Sequence, residues 1–141
     1  MTCMTDKTFI DSNVLIYSYV NTDNFKYERA REVLHKELFD DSILLSTQTI
    51  SEFTSVLLKN KKTIDEIEEY FYEVINSFII VEISVNILIL SYDIKKRYKF
   101  SWWDSLIVAT ALENDCNILL TEDLQHNQLI EGKLRVINPF D

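Results

Sequence analysis

The sequence predicts an α/β fold of three layers, with helices on both faces of a parallel sheet, and three observations carry that prediction. Short apolar segments alternate along the chain with amphipathic stretches of helical period, which is the pattern of strand–helix–strand crossovers. Ile43–Ser46 is compact and apolar rather than alternating, as in strands buried on both faces. Only one Gly and one Pro occur, Gly132 and Pro139, both in the last ten residues, so the usual punctuation of long loops and hairpins is missing. At 141 residues, 47% hydrophobic and 26% charged, the chain is long enough to bury a core and is expected to form a single domain over residues 1–141.

The elements follow in order. Thr8–Asp11 reads as the first strand, ending on a carboxylate, and Ser12 to Val20 as a short helix. The next helix sets Tyr27, Ala30, Leu34 and Leu38 on one face, at spacings of three, four and four. After the strand Ile43–Ser46, a helix begins near Gln48 with Ile50, Phe53 and Leu57 inward. Thr63 and Glu66 form a capping box that opens a helix burying Ile64, Ile67, Phe71, Val74 and Phe78, with Asp65, Glu68, Glu69 and Glu73 on its solvated side. Ile79–Ile83 is the third strand, and Ser84 is the N-cap of a helix running to about Lys99. A helix from about Trp103 turns Leu106, Ile107 and Thr110 inward and ends near Asn114. Ile118–Leu120 and Leu134–Ile137 complete the set as the fourth and fifth strands.

Composition narrows the chemistry. Cys3 and Cys116 form no Cys-x-x-Cys pair, and His35 and His126 stand far apart, so a zinc site is poorly supplied and a reducing compartment suits the chain. The apolar runs are far short of the ~20 residues a spanning helix needs. No signal-peptide pattern is present, and the expectation is a cytoplasmic protein without membrane contact. With 23 acidic against 14 basic residues, the net charge of −9 argues on its face against non-specific binding to nucleic acid.

The informative carboxylates are those that end strands or interrupt apolar stripes. Asp11 and Asp123 follow predicted strands, at the carboxyl edge where open α/β sheets place their ligands. Glu52 and Asp104 stand in the first turns of helices, beside apolar residues, where an unpaired charge is costly. Taken singly, Glu52 and Asp104 can simply complement helix N-terminal dipoles, and Asp123 can cap a turn. Taken together, four acids at one edge would repel and raise one another's pKa unless a cation sat among them. The ion that fits such oxygen ligands is a hard one, Mg2+ or Mn2+.

Four blocks, Ile10–Tyr17 (IDSNVLIY), Gln48–Phe53 (QTISEF), Trp103–Ala111 (WDSLIVATA) and Leu120–Gln125 (LTEDLQ), resemble in order and spacing the PIN-domain ribonucleases, most closely the VapC-type toxins of bacterial toxin–antitoxin pairs. The likeness runs from about Thr8 to the Asn138–Phe140 tail. It implies five parallel strands in the order 3-2-1-4-5. It also implies that Asp11, Glu52, Asp104 and Asp123 are the catalytic acids, that Asp11, Asp104 and Asp123 hold the metal, that Asn13 steadies Asp11, and that Thr121 supports the fourth acid. The chain departs from the pattern at Asn127, where such toxins often carry Gly; Asn is the side chain that best tolerates a left-handed backbone there.

A site of carboxylates and metal, with no Ser–His or Cys–His pair, leaves water as the nucleophile and phosphodiester hydrolysis as the reaction. RNA as substrate, 5′-phosphate and 3′-hydroxyl products, a cognate antitoxin and a homodimer are implied by the resemblance alone. Lys95, Lys96, Arg97 and Lys99, with Tyr98 and Trp102 among and beyond them, are candidate RNA-binding residues; Lys59, Lys61 and Lys62 form a second basic group. Both groups equally complement helix C-terminal dipoles. The alternative function is a catalytically inactive PIN-type binding module for RNA or protein. A phospho-receiver needs an acidic pair just after the first strand, whereas here Asp11-Ser12-Asn13 stands there and Asp40-Asp41 precedes a strand. A haloacid-dehalogenase-type phosphatase wants Asp-x-Asp, which Asn13 breaks.

Overall fold

A computed structural model describes residues 6–37, 43–60 and 62–141; Cys3, Leu38, Asp40, Asp41, Lys61 and the side chain of His35 lie outside the described residues. The elements run β1 (Thr8–Ile10), α1 (Ser12–Tyr19), α2 (Asn24–Glu37), β2 (Ile43–Ser46), α3 (Thr47–Lys59), α4 (Ile64–Ser77), β3 (Ile79–Val81), α5 (Val85–Tyr98), α6 (Trp102–Glu113), β4 (Ile118–Leu120), β5 (Leu129–Ile130) and β6 (Leu134–Ile137). The sheet order is β3-β2-β1-β4-β6-β5. The first five of these are mutually parallel, in the arrangement expected for five strands, and β5 joins antiparallel to β6.

The sixth strand corrects the expected count. β5 is two residues long, too short to show any period, and it reaches β6 through a tight turn with Glu131 at φ 54° and Gly132 at φ 65°. Asn127, just before it, adopts φ 69°, the left-handed conformation that its departure from Gly requires.

Successive strand residues point to opposite faces, and this divides the core. Ile10, Leu45 and Leu120 pack with Val14, Leu15, Leu34, Phe53, Leu57 and Val74 of α1–α4. Phe9, Leu44 and Leu119 pack on the other face with Ile94 of α5 and Ile107, Val108 and Ala111 of α6. The result is the three-layered α/β/α arrangement. Helix starts are set by local chemistry: Ser46, Ser84 and Ser101 cap α3, α5 and α6, and Thr63 with Glu66 forms the capping box of α4.

Two details differ from the sequence reading. Ile64 is 68% exposed rather than buried, because helical side chains lean back over the preceding turn and the first residue of α4 has none. The third strand ends at Val81 instead of Ile83, where its partner β2 ends at Ser46. Among the described residues no helix is long and apolar enough to cross a membrane.

Candidate active site

Because β1, β2 and β4 run parallel, the loops that leave their carboxyl ends gather at one edge of the sheet. β1 delivers Asp11 there, held by its own N–H to the Leu120 carbonyl at 3.0 Å. Asp11 is also the N-cap of α1, its Oδ1 accepting the Ser12 N–H at 2.7 Å. The Ser46 cap starts α3 and so sets Glu52, while the Ser101 cap, whose hydroxyl accepts the Asp104 N–H at 3.0 Å, places Asp104 in the first turn of α6. Asp123 comes from the loop beyond β4, where the Thr121 hydroxyl accepts its N–H at 3.1 Å.

Among the described residues, Asp11, Asp104 and Asp123 each offer a carboxylate oxygen within 4.8 Å of the others. The two supporting residues of the sequence reading are also present. The Thr121 hydroxyl donates to Asp11 Oδ2 at 2.7 Å, and the Asn13 amide spans Asp123 at 3.0 Å and Asp11 at 3.5 Å. Asn13 thereby turns its nitrogen to both carboxylates and leaves its own Oδ1 buried without a partner.

Glu52 stands one step outside this triad. Its carboxylate accepts from the Ser12 hydroxyl on one oxygen and from Gln48 Nε2 on the other, the latter at 2.7 Å. The Ser12 hydroxyl is also 3.4 Å from Asp11, so it links the fourth acid to the first. Ser12 and Gln48 were not singled out in the sequence. Gln48 had a legible signal, standing four residues before Glu52 on one helix face; Ser12 lay inside Asp-Ser-Asn.

The electrostatics agree with a site that lacks a counter-charge. Asp11 is 3% exposed, and its burial pushes the carboxyl up to about 7; hydrogen bonds from Thr121 and Ser12 oppose the rise, and Asp123 and Glu52 add to it. Asp123 is raised too, first by partial desolvation and then by Asp104 and Glu122. A hard cation is what three converging carboxylates of this kind fit. All the donors are oxygens, and the buried Asn13 Oδ1 adds a further oxygen without a partner.

The basic residues go elsewhere. Arg97 is held by Asp93 at 2.8 Å and by Glu131 at 2.6 Å, and Tyr98 donates to the same Glu131 at 2.8 Å. Glu131 lies in the turn before β6, at the edge where the parallel strands begin, so Arg97 sits at the edge opposite Asp11. The Lys95 ammonium donates to the Phe100 carbonyl at 2.8 Å, inside the α5–α6 connection. Lys99 ends α5 in a left-handed conformation at φ 62°, and neither it nor Lys96 has an ion-pair partner among the described residues. Of the second group, Lys59 lies about 10 Å farther along α3 than Glu52, and Lys62 sits over the Tyr70 ring.

A partly buried cluster beside the acids had no signal in the sequence. Lys26 of α2 and Tyr17 of α1 both bind Glu122, the residue between Thr121 and Asp123.

No curated protein matches the sequence at a significant level. Solved structures are similar in fold. A toxin–antitoxin complex from Klebsiella pneumoniae shares 22% identity at a TM-score of 0.70, covering 94% of this chain and 98% of that one. DNA-bound VapBC from Salmonella typhimurium shares 16% at a TM-score of 0.68, covering 94% and 97%. VapC20 of Mycobacterium tuberculosis, a sarcin–ricin loop cleaving toxin, shares 9% at 0.67, covering 80% and 87%. The family model of the PIN domain matches residues 8–131, a span that contains β1 through β5 and all four acids, and the chain belongs to the PIN domain family.

Proposed function

We propose that this chain is an endoribonuclease that hydrolyses RNA phosphodiester bonds with water, using Mg2+ or Mn2+, and that it is the toxin of a toxin–antitoxin pair. The observation that carries this reading is the convergence of Asp11, Asp104 and Asp123 within 4.8 Å at the carboxyl edge of a parallel sheet. When bound by these three residues, the divalent ion supplies a water of lowered pKa and positive charge against the phosphoryl oxygens. Thr121 and the Ser12 N–H fix both oxygens of Asp11, and Asn13 keeps Asp11 and Asp123 in register. Glu52, oriented by Ser12 and Gln48, is the carboxylate assigned to accept a proton from the attacking water. The cleavage needs no 2′-hydroxyl attack and leaves a 5′-phosphate.

Lys96 and Lys99 are the members of the basic group assigned to RNA phosphates, because Arg97 and Lys95 are engaged within the protein. Lys95 and Arg97 join them only if those contacts open. The antitoxin is proposed as a protein whose basic tail sets an Arg among the acids in place of the cation; the complexes formed by similar folds support such a partner. A homodimer in the cytoplasm is the proposed working state, supported by the apolar side chains Val85, Ile89 and Tyr92 that α5 leaves more than 60% exposed.

The test is cleavage of total RNA by the wild type and by Asp11→Asn, each with Mg2+ and with EDTA. The expected result is cleavage by the wild type with Mg2+ alone. Cleavage by both proteins, or by neither, overturns the proposal.

A further inference from the structure

The loop that carries Asp123 is fixed on two sides. Inward, Thr121 and Asp123 face the acidic centre, where the Thr121 hydroxyl donates to Asp11 and accepts the Asp123 N–H. Outward, Glu122 is gripped from two different helices. Lys26 Nζ of α2 donates to Oε2 at 2.7 Å, and the Tyr17 hydroxyl of α1 donates to Oε1 at 3.0 Å. Lys26 is itself 3.4 Å from the Tyr17 hydroxyl, and its ammonium lies over the Tyr17 and Phe140 rings, at 4.9 and 5.5 Å from their centroids. The two rings meet edge to face at 5.2 Å. Arg29, one turn on from Lys26, donates to the Pro139 carbonyl at 2.8 Å and closes the C-terminal tail onto the same helix.

This pair is not an ordinary surface salt bridge. The Lys26 and Glu122 side chains are 29% and 22% exposed, and both carboxylate oxygens of Glu122 are engaged. A carboxylate directly adjacent to Asp123 would otherwise add to the repulsion in the acidic centre, and Lys26 offsets it where it stands.

We propose that Tyr17, Lys26 and Glu122 are positioning residues: together they anchor the Thr121–Asp123 loop so that Asp123 meets Asp11 and Asp104 at metal-binding distance. The proposal rests on the reading of those three acids as a metal centre. It assigns Lys26 a geometric role, and this separates it from a purely electrostatic one. By charge alone, removing a cation beside an acidic site tightens the binding of a divalent ion; an anchor, once removed, loosens it.

The experiment uses Lys26→Met/Glu122→Gln, in which net charge is unchanged, with Tyr17→Phe as a milder variant and Lys26→Arg as the conservative one. Mn2+ binding to the full chain is measured by calorimetry, and exchange of the Asp123 amide by NMR. In the double variant the Mn2+ dissociation constant is expected to rise about tenfold, as for lost supporting contacts elsewhere, and the Asp123 amide to exchange faster. Tyr17→Phe, which folds even if the double variant does not, is expected to shift both in the same direction by a smaller factor, and Lys26→Arg to restore both. An unchanged Asp123 exchange rate in the folded double variant and in Tyr17→Phe overturns the anchor, as does tighter Mn2+ binding. A wild type that binds no Mn2+ brings down the metal reading itself, and the anchor then stands or falls on the exchange rates.

Discussion

Asp11→Asn removes one charge from the acidic centre while keeping its shape, and the expected effect on stability has an unusual sign. At 3% exposure, burial pushes the Asp11 carboxyl from its ordinary 3.8 up to about 7. Near pH 8 without divalent ions, ionising it therefore costs the folded state about 4 kcal/mol relative to the unfolded chain. Because the native state holds the extra proton, stability falls as pH rises from about 4 through about 7, and is level above that. Asn cannot ionise, but its amide would face the Thr121 hydroxyl and the Asn13 amide, which point donors at the present carboxylate. Allowing about 2 kcal/mol for that mismatch, the variant should be more stable than the wild type in EDTA near pH 8 by about 2 kcal/mol. This is a rise of about 6 °C in melting temperature for a domain of this size. The gain should vanish near pH 4. With Mg2+ or Mn2+ added, the order should reverse, since an ion that binds only the native wild type stabilises it by mass action. Thermal melts followed by circular dichroism across this pH range supply the measurement. An Asp11→Asn protein that melts below the wild type in EDTA near pH 8 would refute the claim that the buried charge lacks a partner.

Thr121→Val deletes the hydroxyl that joins Asp11 to the Asp123 loop and should weaken Mn2+ binding by about tenfold, read by calorimetry. Arg97→Ala should leave the salt dependence of RNA binding unchanged, because its guanidinium is already held by Asp93 and Glu131. Replacing Lys96 and Lys99 together should flatten the slope of log affinity against log salt by about 1. Filter binding in the Asp11→Asn background decides between them. Phe53→Ala empties a fully buried site against Tyr19 and should cost about 3–5 kcal/mol in urea denaturation, while Ser46→Ala, which removes the N-cap of α3, should cost about 1 kcal/mol.

Local chemistry is what a sequence states directly, and here it stated much. Caps depend on one hydroxyl and an amide three residues away, so Thr63 with Glu66, and Ser84, could be read as helix starts before any fold was known. Buried parallel strands are apolar on both faces, so Ile43–Ser46 and Ile118–Leu120 were visible with the bounds they have. The strand β5 was not visible, because two residues have no period. The four acids stood out because they broke apolar patterns or ended strands.

Which groups meet is a different kind of fact, since it depends on crossovers that bring together residues 110 positions apart. The sequence by itself determined the α/β class, the helix starts and the acidic residue types that make a hard-metal centre plausible chemistry. Tertiary structure alone decided that Asp11, Asp104 and Asp123 converge while Glu52 stands behind Ser12 and Gln48. It likewise decided that Arg97 faces Glu131 at the far edge of the sheet, and that Lys26 grips the loop beside Asp123. The physical reason is that periodicity and capping act over a few residues of chain, whereas a charge acts over a few ångströms of space whatever the distance along the chain.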